Sequence, residues 1–262
     1  MSRDEATRDL RRYLKQRLDA GESVVLLPAG AVTSSAAEAA GGSPPGTPAP
    51  EPTAPDAEVA ADAFEAPATT TASVASDSLA QVAAEIRACT QCRLHQTRTN
   101  AVPGVGPDDA GLVFVGEGPG ADEDAQGEPF VGRAGQLLTK IIESVKLQRG
   151  EVFITNIVKC RPPNNRDPQP DEVAACEPYL RRQLALLQPR VICALGRHAS
   201  SALLKTQDSM ARLRQGRHEY AGIRVFPTYH PAALLRNSKW KRPVWEDIQN
   251  VRRCYDTPEQ KP

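Results

Sequence analysis

From residue 79 onward, short apolar runs alternate with helix-length amphipathic segments. The runs are LVFVGE (Leu112 to Glu117), VFITNI (Val152 to Ile157), VICALG (Val191 to Gly196) and IRVFPT (Ile223 to Thr228). Each is continuous and rich in β-branched residues, which predicts strands buried on both faces. Helical spacing over Ala134 to Val145, Asp171 to Leu187 and Arg197 to Leu204, and again near Val244 to Cys254, predicts the helices between and after them. Strands joined by crossover helices make a parallel sheet covered on both sides. The expected fold is therefore a three-layer α/β/α domain over residues 79–255 with a central parallel four-stranded sheet.

The first 78 residues follow another pattern. Leu10, Tyr13, Leu14 and Leu18 lie at helical spacing, with Gly21 as a stop, and predict a short amphipathic helix within residues 1–22. Such a helix either docks loosely or serves as a tag for a protein partner. Residues 28–76 hold 16 Ala and 8 Pro, with Phe64 and three Val as the only sizeable apolar side chains. That stretch buries too little to offset its ordering entropy, so residues 23–78 are expected to be a disordered linker of polyproline character. Residues 256–262 are expected to be a disordered tail.

Composition sharpens this division. The whole chain of 262 residues is formally neutral, but residues 1–78 carry 6 Lys and Arg against 12 Asp and Glu, whereas residues 79–262 carry 26 against 20. A mildly basic domain suits a polyanionic partner. The absence of a long apolar run or an N-terminal apolar core points to a cytoplasmic protein without a membrane segment, expected to be a monomer. In that setting six cysteines read as metal, redox or packing residues rather than as a disulfide framework.

Cys89 and Cys92 form a Cys-x-x-Cys pair, and Cys160 and Cys176 follow after 67 and 15 intervening residues. Two close ligands and two distant ones can close a four-thiolate cage, and this spacing fits iron–sulfur and zinc equally well. Arg87, Arg93, Lys159 and Arg161 flank these cysteines and would offset their charge. Cys193, in a strand, and Cys254, in a helix, read as packing residues.

In α/β sheets ligands bind beyond the carboxyl ends of the strands. Those ends carry GEGPG after the first strand, Asn156 in the second and Tyr229-His230-Pro231 after the fourth. The first loop adds an acidic cluster and Pro129-Phe130-Val131-Gly132, where a rigidly placed aromatic beside a glycine-lined turn suits a planar ring.

GEGPGADEDAQGEPFVGRAGQLL, ITNIVKCRPPNNRDPQPDE and FPTYHPAALLR, together with the four cysteines, resemble the family 4 uracil-DNA glycosylases, the iron–sulfur branch. The resemblance spans residues 79–255 and leaves residues 1–78 outside. It implies a base-excision repair hydrolase that cleaves the glycosidic bond of deoxyuridine in double- and single-stranded DNA, in a bacterial or archaeal cytoplasm close to the nucleoid. It also implies a 4Fe-4S cluster on Cys89, Cys92, Cys160 and Cys176. A related family that traps itself covalently on uracil-DNA has GEQPG and a basic insertion with Arg-Ile-His. Here Gly118 stands in the first motif and the insertion is missing, which implies turnover.

By the same resemblance Phe130 stacks on the flipped uracil, Asn156 reads its amide edge, and His230 bonds the carbonyl next to the scissile bond. Glu117 and the Gly118 backbone position the water, and Glu123 and Asn165 complete the substrate side. Arg133 and Arg161 contact phosphate or pair with the acids. Leu234 and Leu235 occupy the place of the stack-opening wedge, although either suits the core of a short helix. Arg236, Lys239, Lys241 and Arg242 form a basic stretch for the DNA backbone. The competing reading is a non-catalytic iron–sulfur module that binds nucleic acid beside replication machinery.

Overall fold

The structure, a computed structural model, describes residues 77–257. The proposed N-terminal helix, nearly all of the linker and residues 258–262 lie outside the described residues. The domain opens on helix α1 (Leu79–Ala88), whose first turn is capped by the Ser78 hydroxyl accepting from the Gln81 amide. Asp77, the first described residue, is joined to it through an ion pair with Arg182.

Five strands build one sheet: β1 (Leu112–Gly116), β2 (Phe153–Asn156), β3 (Val191–Leu195), β4 (His218–Tyr220) and β5 (Ile223–Thr228). Their order is β2-β1-β3-β5-β4. The four predicted strands pair in parallel, and β4 adds an antiparallel edge to β5. This fifth strand is three residues of polar sequence and exists through its turn. Ala221 and Gly222 both have positive φ, at 49° and 79°, the backbone of a two-residue hairpin that matches strand twist.

Alternation along the strands sorts the core into two layers. Val113, Val115, Ile192, Ala194 and Val225 face α4 (Pro170–Leu187) and α5 (Arg197–Leu204), represented by Leu180, Leu184, Ala199 and Leu203. Leu112, Phe114, Val191, Cys193 and Leu195 face α3 (Arg133–Ser144) and the terminal helix, represented by Leu138, Ile142, Ile248 and Val251. Short helices α2 (Ala121–Gln126), α6 (Met210–Leu213) and α7 (Pro231–Arg236) lie in the loops, and α8 (Lys241–Asp256) closes the chain. No helix among the described residues is long and apolar enough to cross a membrane.

The chain leaves β1 toward β2 on one side and later enters β3 on the other. Connections therefore diverge between the carboxyl ends of β1 and β3, which opens a crevice there.

Candidate active site

Phe130 is carried into the crevice by the loop between α2 and α3. Its φ is +54°, a left-handed backbone uncommon for an aromatic residue. Close packing enforces it, because a Cβ on Gly135 in the first turn of α3 would fall 1.8 Å from the Phe130 carbonyl oxygen. The Glu123 carboxylate accepts from the amides of Val131 (3.0 Å), Gly132 (3.0 Å) and Gly120 (3.1 Å), and Arg149 donates to the Pro129 carbonyl at 2.6 Å. So fastened, the Phe130 ring is 7% exposed and lies 5.5 Å from the His230 ring, tilted by 33°.

Asn156 ends β2 and is 1% exposed. Its side-chain oxygen is buried without any hydrogen-bond partner. An orphaned buried acceptor costs about 1–3 kcal/mol, so the site suits a ligand that brings an N–H to it.

His230 stands at the start of α7, and its Nδ1 accepts from the Ala232 amide at 3.2 Å. An amide N–H can only donate, so the neutral ring carries its proton on Nε2 and offers a donor. Burial, with a smaller contribution from the Arg236 charge, lowers the His230 pKa to about 4. The ring is thus neutral at pH 7. Beneath it, Thr228 donates to Asp247 at 2.6 Å, and Asp247 is held bidentately by Arg214. The Arg214 guanidinium lies 5.1 Å over Tyr229, whose ring stacks on Trp240 at 4.2 Å.

Glu117 follows β1, half-buried. Burial raises its carboxyl above the usual range, the charges of His198 and Arg197 pull it down, and Asp167 pushes it up. His198 Nε2 lies 3.1 Å from Asp167 and 4.0 Å from Glu117. Asp167 and His198 were missed by the sequence reading. The available signal was position alone, since His198 lies in the first turn after β3, at the same sheet edge as Gly116.

The four predicted cysteine ligands, all free thiols, line one pocket with Ile86, Lys159 and Tyr179. Arg98 donates to the Cys160 sulfur at 2.9 Å, the Lys159 amide to the Cys176 sulfur at 3.3 Å and the Gln91 amide to the Cys89 sulfur at 3.5 Å. Two of the flanking cations expected to balance the sulfurs act elsewhere: Arg93 pairs with Asp171 and Glu172, and Arg161 donates to Asn165. Arg98, eleven residues beyond Arg87 and bonded to its carbonyl, takes that role.

The Uracil DNA glycosylase superfamily profile matches residues 103–249. The chain is 46% identical over 191 residues to a type-4 uracil-DNA glycosylase of Sulfurisphaera tokodaii, covering 70% of this chain and 87% of that protein. Type-4 uracil-DNA glycosylases of Saccharolobus solfataricus (48% over 185 residues; 67% and 86% covered) and Thermotoga maritima (46% over 175; 65% and 91%) are similar to it too. The chain belongs to the type-4 uracil-DNA glycosylase family.

Within this member of the family, the structure gathers Phe130, Asn156 and His230 around one crevice and leaves other expected residues outside it. Glu123, expected on the substrate side, accepts from three backbone amides and so fastens the loop that carries Phe130. Asn165 is exposed, with its side-chain oxygen taken by Arg161 at 2.7 Å. Gly118 lies close to the chain beyond β2, where a Cβ would meet Val158 at 2.8 Å. None of Gly116, Gly118 and Gly120 has a positive φ, so they serve close approach and not an unusual turn.

Leu234 is 3% exposed and Leu235 46%. The two lie about 100° apart around α7, so Leu234 is packed inward and Leu235 meets solvent. Arg236, Lys239, Lys241 and Arg242 are all exposed beside it. Lys239 lies 5.1 Å over Trp240, and Arg242 pairs with Glu246 one turn on.

Proposed function

We propose that this chain hydrolyses the N-glycosidic bond of deoxyuridine in DNA, releasing free uracil and leaving an abasic site. The observation that carries the reading is the unpartnered Asn156 oxygen, buried where Phe130 and His230 come together. Uracil presents an imide N–H with a carbonyl beside it, and the Asn amide can accept from the first and donate to the second. Cytosine offers an acceptor and an amino donor at the same places. Two mismatched groups in a dry pocket, at about 1–3 kcal/mol each, are enough to reject it.

Phe130 supplies the face on which the extruded base lies, and exposed Leu235 fills the gap left in the stack. As the C1′–N1 bond breaks, its electron pair goes to N1 and negative charge spreads to the uracil carbonyl next to that bond. The Nε2–H of neutral His230 is the donor for that oxygen, strengthening as charge develops. Glu117 orients a water toward C1′ and takes its proton as the C–O bond forms. Arg236, Lys239, Lys241 and Arg242 neutralise phosphates on both double- and single-stranded substrates.

The thiolate pocket fits a 4Fe-4S cluster. Its lining supplies four sulfur donors, Cys89, Cys92, Cys160 and Cys176, with Arg98 donating to one of them, and this all-cysteine donor set suits such a cluster. Burial also pushes Cys176 up to about 11 and raises Cys160, so binding of a metal centre there would release those protons. When bound, the cluster supplies a covalent cross-link between the segments after α1 and β2 and helix α4.

Incubation with an oligonucleotide containing one deoxyuridine tests the activity. Free uracil and an alkali-labile site are expected, and tight binding without release would favour the non-catalytic module. Iron and sulfide near four each per chain, with brown colour, are expected in anaerobically purified protein. Equimolar zinc without iron would overturn the cluster.

A further inference from the structure

Lys159 is 1% exposed, one of the largest side chains fully buried in the domain. Its ammonium donates to the Thr155 hydroxyl at 2.5 Å, the Asn156 carbonyl oxygen at 2.9 Å and the Gln183 side-chain oxygen at 2.7 Å. These three bonds use all of its protons. Among the described residues, no carboxylate is paired with it. Thr155 and the Gln183 amide both donate in turn to the Pro103 carbonyl, at 3.0 and 2.8 Å. Placing a cation in such a position is unfavourable unless something compensates. Ordinary packing would be served by a Leu or Met.

The location explains the expense. The same residue donates its backbone N–H to the Cys176 sulfur, lines the thiolate pocket and is followed directly by Cys160. One end of Lys159 is therefore fixed to the ligands, and the other fixes the main chain of the residue whose side chain awaits the base. Its ammonium and its backbone N–H thus serve two places, the Asn156 carbonyl on one side and the Cys176 sulfur on the other.

We propose that Lys159 is a positioning residue that ties the base-reading end of β2 to the four-thiolate pocket, so that occupancy of either site stabilises the other. The proposal rests on the reading of Asn156 given above. It requires reciprocity: if the bound cluster strengthens base binding, base binding must retard loss of the cluster by the same factor.

The test uses the iron-loaded full chain and an oligonucleotide carrying 2′-fluoro-2′-deoxyuridine, whose glycosidic bond resists cleavage. Bleaching of the visible absorbance by excess chelator is followed with and without a saturating amount of this probe. In the native chain the probe is expected to slow bleaching by at least about fivefold, the lower range of such couplings. In Lys159→Met, folded by its melting curve, bleaching is expected to proceed at the same rate with and without probe. Should Lys159→Met fail to fold, Gln183→Leu, which withdraws one acceptor from the ammonium, is expected to reduce the protection. A native chain without protection, or a folded variant with undiminished protection, overturns the tie. Asn156→Ala provides the separate arm: native-like affinity for the probe would overturn the base-reading role itself, whereas weakened affinity together with undiminished protection in Lys159→Met overturns only the tie.

Discussion

Gly116 and Asn156 stand side by side at the ends of β1 and β2, and a methyl group on Gly116 would lie 2.4 Å from the Asn156 side-chain oxygen. The same methyl would lie 2.5 Å from the Phe130 ring. The bare Cα of Gly116 thus sets the space between the Asn156 amide, proposed to read the base edge, and the Phe130 ring, proposed to carry the base face.

Gly116→Ala is therefore expected to fold, since no unusual backbone is needed there, and to lose uracil excision by about 10 to 100-fold, corresponding to an overpacking cost of about 1–3 kcal/mol. Single-turnover excision beside a melting curve checks it. Native-like excision would mean that the pocket is not closed by this contact.

Asn156 and His230 should separate on mutation. Asn156→Asp replaces a donor–acceptor pair by an acceptor or a differently placed hydroxyl, so uracil excision should fall and selectivity against cytosine should relax. His230→Ala should slow the chemical step by roughly 10 to 1000-fold, the scale of one preorganised donor, with a far smaller change in affinity for uracil-containing DNA. Equal losses of affinity and rate in His230→Ala would make the histidine a binding residue.

Acid should inhibit through Glu117 and not through His230. Burial raises the Glu117 carboxyl above the usual carboxylate range, so its ionised form is lost at a higher pH than for an exposed glutamate. His230, held near 4, stays neutral until the pH approaches that value. Single-turnover rates between pH 4.5 and 8 are expected to show an acid limb that disappears in Glu117→Gln at a lower plateau. Persistence of that limb would assign it to another group.

Adjacent leucines in α7 should behave in opposite ways. Leu234→Ala opens a cavity and should cost about 2–5 kcal/mol of stability. Leu235→Ala should leave the melting temperature nearly unchanged and weaken excision from duplex more than from single-stranded DNA, where no stack is opened. Parallel melting and excision measurements on both substrates decide this.

Removal of residues 1–76 should leave excision and melting nearly unchanged, because the cap and ion pair that open α1 are retained. Removal of residues 1–78 should lower stability by about 1 kcal/mol or more through loss of the Ser78 cap, together with the Asp77–Arg182 pair. Identical melting of the two truncations would show that α1 is held by packing alone.

The sheet was legible because strands buried on both faces are apolar nearly throughout, as in β1 and β3, and because β2 and β5 are apolar enough to show beside them although β5 carries Arg224 and is only partly buried. Helices α3, α4, α5 and α8 were legible because each needs one apolar face at a 3.6-residue period. Motif chemistry singled out Phe130, Asn156, His230 and the four cysteines, and the structure brings Phe130 beside His230 and lines one pocket with all four cysteines. Tertiary structure decided the remainder. Strand β4 is three polar residues that pair only because the Ala221-Gly222 turn folds them back on β5. Whether Leu234 or Leu235 faces solvent is about 100° of helix rotation, settled by how α7 docks. Glu123 carries the residue type of a substrate group, yet the fold of the loop brings the amides of residues 131 and 132 to its carboxylate. Asp167 and His198 meet Glu117 because loops after β2 and β3 end at one edge of the sheet. Residue type limits what a side chain can do, but which partner it finds is fixed by long-range packing that local pattern does not encode.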